Sequence, residues 1–170
     1  SDIRGAVLDR PRHEQLIADI RAAGAGTRLI MDGDVAGGVN AARWDSAIDM
    51  CVGIGGTPEG IITACAVKAL GGVIQGRLWP KDDEERQRAI DAGHDLSRVL
   101  QANDLVASDN AYFVATGITD AEFIDGVQRR GLERGVLLIG KDEDGHGGAP
   151  CGVVAWGERV ARERGAGRSA

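Results

Sequence analysis

A glycine-rich turn between two apolar runs constrains the fold of this chain more than any other feature. Residues 53–62 read Gly-Ile-Gly-Gly-Thr-Pro-Glu-Gly-Ile-Ile. The apolar run at 48–54 is short and bounded by glycine, which is typical of a buried strand, whereas the Ala-rich run at 61–70 is long enough for a helix. Thr57 suits a helix cap, and Pro58 suits the first helical position. The stretch therefore predicts a strand, a tight turn and a helix whose N-terminus faces the end of a sheet.

Glu59 lies in the first turn of that predicted helix. Helix N-termini carry partial positive charge and unpaired N–H groups, and they attract anions. A carboxylate there is stabilised by the helix dipole but repels a bound phosphate, and a cation between the two groups removes this conflict. Glu59 is therefore a candidate metal ligand, and the alternative is a glutamate that merely suits the first helical turn.

A second strand-to-helix transition lies near the beginning of the chain. Residues 6–8 predict the end of a strand, and Arg10, Pro11 and Arg12 then lead into a helix. Two guanidinium groups at a helix start form a good clamp for a phosphate dianion. The alternative is a pair of solvated arginines, and we expect the neighbouring His13 to lie at the surface.

A third transition places two aspartates after a strand. The strand predicted at 28–31 ends in Asp32, Gly33 and Asp34, and a helix is predicted at 35–44. In open α/β sheets, ligands bind beyond the carboxyl ends of the strands. The aspartates there suit vicinal sugar hydroxyls or a divalent cation, and the simpler alternative is a turn with a helix cap.

The remaining stretches predict further helices and strands, followed by a tail with a different sequence pattern. Strands are predicted at 72–78 and 111–115, helices at 82–92 and near 122–127, and a helical turn at 96–100. Residues 131–170 form the divergent tail, in which strands at 135–139 and 152–156 are predicted to pair and a short helix is predicted at 158–164.

Composition narrows the class of protein. Hydrophobic residues make up 43% of the chain but aromatic residues only 4%, which predicts one domain with an aliphatic core. The net charge of −6 argues against nucleic-acid binding, and no apolar run has membrane length. Three widely spaced cysteines and no apparent signal peptide suggest reduced thiols in the cytoplasm. Neither a dinucleotide fingerprint nor a Walker loop nor a local zinc motif is present.

Six short segments occur in the order and at the separations typical of one enzyme family. They span residues 8–13, 32–36, 53–60, 76–78, 108–110 and 115–119. Together they resemble the C-terminal half of class II fructose-1,6-bisphosphatase, a bacterial sugar phosphatase of gluconeogenesis. The resemblance implies that residues 1–130 form a substrate-binding domain, an α/β layered sandwich similar to half of the inositol monophosphatase fold. It also implies hydrolysis of the 1-phosphate of fructose 1,6-bisphosphate with Mn²⁺ or Mg²⁺.

The resemblance also implies roles for the residues singled out above. The substrate-binding positions are Arg10, Pro11 and Arg12 for the phosphate that is not cleaved, Asp32, Gly33 and Asp34 for the sugar, and Gly56 for a further contact. Glu59 matches a metal ligand of the family.

The family's other metal-binding carboxylates and its Glu-Gly-Thr phosphate loop belong to an N-terminal half that this sequence does not match. We therefore expect negligible hydrolysis by this chain alone, and we expect either a homo-oligomer or a complementing N-terminal half as its partner. The alternatives are a non-catalytic sugar-phosphate-binding domain and a structural α/β subunit that needs a partner chain.

Overall fold

The protein is an α/β protein, described here by a computed structural model that covers residues 2–117, residue 124 and the strand at 136–141. The elements in chain order are β1 (Arg4–Leu8), α1 (Glu14–Ala22), β2 (Gly26–Ile30), α2 (Asp34–Ala42), β3 (Met50–Cys51), α3 (Thr57–Ala69), β4 (Gln75–Gly76), α4 (Asp83–Asp91), β5 (Leu100–Gln101), α5 (Ala102–Leu105), β6 (Ala111–Thr116) and β7 (Val136–Lys141). A 3-10 turn, Pro11–His13, leads into α1.

The first three strands form a parallel sheet in the order β2-β1-β3. A Cβ atom placed on Gly5 of β1 would lie 3.9 Å from Ile20 of α1, whereas one placed on Gly37 of α2 would lie 3.9 Å from the Cβ atom of Ala6. Because consecutive strand residues point to opposite faces, α1 and α2 cover opposite faces of the sheet. The winding direction thus reverses between β1 and β3, and the carboxyl ends of these strands flank the switch point where ligands bind in such sheets.

Helix α3 connects this sheet to the rest of the core. It is apolar along most of its length, and Ala64, Ala66 and Ala69 are fully buried. Their small side chains let neighbouring elements approach closely. The core cluster comprises Val39 of α2, Ala66 and Ala69 of α3, Ala111 and Phe113 of β6, and Ile124. No helix in the described part of the chain is long and apolar enough to cross a membrane.

Strands β6 and β7 form an antiparallel pair in which six residues of each strand are in register. In β6, Ala111 and Phe113 are buried while Tyr112 and Val114 are exposed, which is the alternation expected of a strand with one face against a core. Strand β7 confirms the strand predicted at 135–139, and its described partner is β6. The elements predicted at 152–156 and 158–164, and all but Ile124 of the helix predicted near 122–127, lie outside the described residues.

Three predicted elements have different bounds or a different conformation. The strand predicted at 48–54 is shortened to Met50–Cys51, because β1 pairs with it only at Gly5 and Ala6 before the chain turns at the glycines. The strand predicted at 72–78 is similarly reduced to Gln75–Gly76.

The helical turn predicted at 96–100 was wrong. The Asp95 carboxylate accepts hydrogen bonds from the backbone N–H and the hydroxyl of Ser97, at 2.8 and 2.6 Å. Aspartate side chains that bond two residues ahead favour a turn over a helix. The chain then enters β5 at Leu100.

Candidate functional site

Three loops meet at the carboxyl edge of the parallel sheet. They are the loop from β1 to α1, the loop from β2 to α2 and the glycine turn from β3 to α3. Because the strands are parallel, all three loops leave the sheet at the same edge. The structure therefore brings the predicted segments to one side of the sheet. These segments contain Arg10, Pro11, Arg12, Asp32, Gly33, Asp34, Gly56 and Glu59.

A buried histidine joins the first of these loops to the glycine turn. The backbone N–H of Ile54 donates to Nε2 of His13 at 2.8 Å, and Nδ1 of the same ring lies 2.9 Å from the carbonyl oxygen of Leu8. Since a backbone N–H can only donate, Nε2 is the unprotonated nitrogen, and Nδ1–H donates to Leu8. The prediction of a surface histidine was wrong, because the 3-10 turn folds this ring inward until it is fully buried.

Arg12 binds the backbone carbonyl of the same residue, Ile54. Its Nε and Nη2 atoms both donate to the carbonyl oxygen of Ile54, at 3.0 and 2.9 Å. Arg10 donates from Nη1 to the carbonyl of Asp9 at 2.9 Å. Among the described residues neither guanidinium forms an ion pair, so both retain N–H donors that a ligand can use.

The aspartate loop begins helix α2. Gly33 occupies the cap position with a left-handed φ of 82°, a conformation that favours glycine. Oδ1 of Asp34 accepts from the N–H of Val35 at 2.9 Å, and Oδ1 of Asp32 accepts from the N–H of Gly33 at 2.9 Å. Both aspartates thus contribute to the turn at the helix start. Each keeps its second carboxylate oxygen outside these bonds.

The two glycines of the turn lie under two carboxylates. A Cβ atom on Gly55 would lie 2.6 Å from Oδ2 of Asp34, and one on Gly56 would collide with Oε2 of Glu59. Adjacent glycines therefore provide the space that the two acidic side chains occupy. The Glu59 carboxylate is exposed and has no hydrogen-bond or ion-pair partner within the described part of the chain.

The start of α3 differs from the prediction by one residue. Gly56 is the cap, in an extended conformation with φ −72° and ψ 151°, and Thr57 is the first helical residue. Thr57 therefore makes no side-chain cap bond, and Pro58 is the second helical residue instead of the first. Glu59 nevertheless lies in the first turn, as predicted.

A cleft of about 730 Å³ opens beside the glycine turn. Its lining includes Asp34, Gly56 and Glu59 from the predicted set, whereas Arg10, Arg12 and Asp32 are not among its lining residues. The structure thus places an acidic group, Asp34 and Glu59, in the cleft together with Gly56, and it leaves Arg10 and Arg12 on the β1 loop and Asp32 on the β2 loop.

Cys51 lies at the end of β3 and lines the same cleft. Burial raises the pKa of its thiol, and the negative charge of Asp34 raises that pKa further. The thiol is therefore neutral and poorly nucleophilic at neutral pH. We assign it no chemical role.

The acidic group suits a cation that is shared with a phosphate. Mg²⁺ is commonly held by one or two carboxylates together with substrate phosphates and water, and Mn²⁺ also favours oxygen ligands. Asp34 and Glu59 fit this arrangement. No group of three His, Cys, Asp or Glu side chains that could hold a metal ion occurs among the described residues.

The fold defines an α/β protein in which arginine and carboxylate side chains lie at the carboxyl edge of a parallel sheet. Residues 1–137 match the family model described as bacterial fructose-1,6-bisphosphatase, glpX-encoded. The chain belongs to this family, and the resemblance drawn from its motifs is confirmed.

Curated relatives support the same assignment. The chain is 40% identical to the class 2 fructose-1,6-bisphosphatase of Haemophilus influenzae over 144 residues, which cover 77% of this chain and 43% of that protein. It is 35% identical to fructose-1,6-bisphosphatase 1 class 2 of Escherichia coli, with the same coverage. The chain therefore spans less than half the length of these relatives.

Two features of the site were missed by sequence reasoning. The contacts of His13 and Arg12 with the backbone of Ile54 organise the site, but these two partners lie 41 and 42 residues from Ile54 in the sequence. No local pattern marks such contacts. Arg77, which also lines the cleft, lies in the Gly-Arg-Leu segment that carried the resemblance, and that segment was the available signal.

Proposed function

We propose that this chain is the substrate-binding part of a class 2 fructose-1,6-bisphosphatase, which converts fructose 1,6-bisphosphate to fructose 6-phosphate and phosphate. The observation that carries the proposal is the meeting of the three matched loops at one sheet edge. A sugar bisphosphate has a phosphate at each end and hydroxyl groups between them. The site suits such a ligand, because its arginines can bind a phosphate, its aspartate loop can bind hydroxyl groups, and the carboxylates of its cleft can hold a cation next to the other phosphate.

In this proposal Arg10 and Arg12 bind the phosphate that is not cleaved, and Pro11 starts the turn that carries them. Arg12 is already fixed by its two bonds to Ile54, so less side-chain entropy is lost when a phosphate binds. Charge-assisted contacts to a phosphate dianion are among the strong hydrogen bonds of proteins.

The aspartate loop and Gly56 bind the sugar in this proposal. Asp32 and Asp34 accept hydrogen bonds from hydroxyl groups, and Gly33 allows the left-handed turn that presents them. Gly56 has no side chain, which leaves room for the Glu59 carboxylate beside the turn that the sugar contacts in this proposal.

Glu59, with Asp34 beside it, would hold the Mn²⁺ or Mg²⁺ ion. Such an ion, when bound, polarises phosphoryl oxygens and activates water. The chain's own contribution is to keep a free carboxylate at the start of α3, where the helix dipole stabilises its charged form.

The remaining parts of the proposal concern the assembly. Residues 1–130 form the substrate-binding half of a layered sandwich of the inositol monophosphatase type, and residues 131–170 are its divergent tail. The other metal-binding carboxylates come from a complementing N-terminal half or from another subunit of a homo-oligomer in the cytoplasm.

A second candidate function is a non-catalytic sugar-phosphate-binding domain. It is favoured by the arginine loop, because Arg10 and Arg12 keep N–H donors for a phosphate without any metal ion. The two candidates differ in whether Mn²⁺ strengthens sugar-phosphate binding.

Calorimetric titration of fructose 1,6-bisphosphate, with and without Mn²⁺, tests the proposal. We expect Mn²⁺ to tighten binding to the wild-type chain and to have no effect on Glu59→Gln. Glu14→Gln is the matched control, because Glu14 is also a first-turn glutamate but lies on α1, outside the cleft. Equal Mn²⁺ dependence in all three proteins would refute the metal-ligand role.

Phosphate release measures the catalytic part separately. We expect the rate of the isolated chain to match that of Glu59→Gln, because two carboxylates do not complete a catalytic metal site. Release well above that of the variant would contradict the need for a complementing half.

A further inference from the structure

The cleft has one basic side chain among its acidic ones. Its lining residues include Asp34 and Glu59 beside the glycine turn, and Asp49, whose Oδ2 accepts from the backbone N–H of Arg4 at 2.7 Å. Arg77 is the only lysine or arginine among the described lining residues. Arg77 belongs to the segment 72–79, which forms the wall of the cleft beyond α3.

The Arg77 guanidinium lies over an aromatic ring and is not neutralised. Its Cζ atom lies 5.7 Å from the ring centroid of Trp79, within the range of a cation–π contact. In the described structure it forms neither a hydrogen bond nor an ion pair. The aromatic face restrains the planar group while leaving its N–H donors open to a ligand.

The charge balance of the cleft indicates what that ligand is. An anion that enters beside the Asp34 and Glu59 carboxylates is repelled by their negative charges. A fixed guanidinium offsets part of this repulsion. It also matches phosphate geometry, because its N–H groups form a rigid fork.

The position of Arg77 separates it from the other arginines. Arg10 and Arg12 lie on the β1 loop, outside the residues that line the cleft, whereas Arg77 and Glu59 line it together. The chain therefore offers two separate basic groups, which is the number that a ligand with a phosphate at each end requires.

We propose that Arg77 binds the second phosphate of the sugar bisphosphate, the one that is cleaved, and that Trp79 is a positioning residue for Arg77. This inference rests on the proposed function of the chain. It makes Arg77 the determinant that distinguishes a bisphosphate from a monophosphate, since a ligand without the second phosphate leaves Arg77 unused.

Calorimetry with two ligands tests this assignment on the full chain. We expect Arg77→Gln to weaken fructose 1,6-bisphosphate binding by about tenfold or more, the value of one charge-assisted contact. The affinity for fructose 6-phosphate should change less than about twofold, because this ligand has no second phosphate for Arg77 to contact and surface substitutions away from a contact have small effects. Arg12→Gln should weaken both ligands, and Arg88→Gln, an exposed arginine on α4, should weaken neither.

Two conservative variants complete the test. Arg77→Lys keeps the charge but loses the fork, so its affinity for the bisphosphate should fall between those of wild type and Arg77→Gln. Trp79→Tyr should retain the preference for the bisphosphate, and Trp79→Leu should reduce it, because only the first keeps an aromatic face.

The possible failures are distinguishable. Wild-type affinity for the bisphosphate in Arg77→Gln would overturn the role of Arg77 and leave the proposed function standing. An equal loss for both ligands in that variant would also overturn it. A wild-type chain that binds neither ligand would overturn both this inference and the proposed function.

Discussion

Replacing His13 with alanine removes the link between the β1 loop and the glycine turn. The ring is fully buried, and each of its nitrogens makes one hydrogen bond: Nδ1 donates to the carbonyl of Leu8, and Nε2 accepts from the N–H of Ile54. Each unpaired buried backbone group costs about 1–3 kcal/mol, and the cavity left by the ring adds to that cost. We expect His13→Ala to lower the free energy of unfolding by about 3–5 kcal/mol, a large share of a typical domain's stability.

A second variant separates the hydrogen bonds from the packing. His13→Phe fills the same space but leaves both backbone groups unpaired, so we expect a loss of about 2–4 kcal/mol. The matched control is His94→Ala, because His94 is exposed and should change stability by no more than about 0.5 kcal/mol.

Urea unfolding followed by circular dichroism measures all three variants on one scale. The same variants should lose sugar-phosphate affinity, since the turn that carries Gly56 is no longer fixed to the arginine loop. His13→Ala and His94→Ala with unfolding free energies within 1 kcal/mol of each other would refute the structural role argued for His13.

Two further predictions concern helix packing and the cleft thiol. Gly38→Ala places a methyl group against Cγ2 of Thr63, so it should lower the free energy of unfolding in urea by about 1–3 kcal/mol. Adding Thr63→Ser should recover most of this loss. The control Gly60→Ala, whose new Cβ atom meets nothing within 4 Å, should not destabilise the protein. Asp34→Asn removes a negative charge that raises the pKa of the Cys51 thiol, so the thiolate fraction should increase. Iodoacetamide should then label this thiol faster at pH 8, as measured by peptide mass spectrometry. An unchanged labelling rate would refute the electrostatic contribution of Asp34.

Local signals explain why the helices were predicted well. Helix α3 was expected from its Ala-rich run and from Pro58 near its start, and it spans Thr57–Ala69. Such signals act within a few residues of one another. The convergence of the three loops was also predictable, because it follows from a parallel sheet and needs no side-chain detail.

Long-range contacts explain what was missed. Strand β3 is short because only two of its residues find partners on β1, and strand length depends on that distant pairing. His13 was placed at the surface because nothing adjacent to it in the sequence marks it as buried. The separation of Arg77 from Arg12, and its sharing of a cleft with Glu59, likewise depend on how the elements pack.

The backbone contacts of Ile54 have a thermodynamic consequence for the whole site. The N–H of Ile54 donates to His13 and its carbonyl accepts from Arg12, so the glycine turn and the arginine loop are joined through this one residue. A ligand that draws the Arg12 guanidinium away from this carbonyl loosens the turn. A ligand that orders the turn, conversely, holds Arg12 ready for a phosphate. We therefore expect ligand binding at the glycine turn and at the arginine loop to be linked, and each ligand then changes the affinity of the other by the same factor.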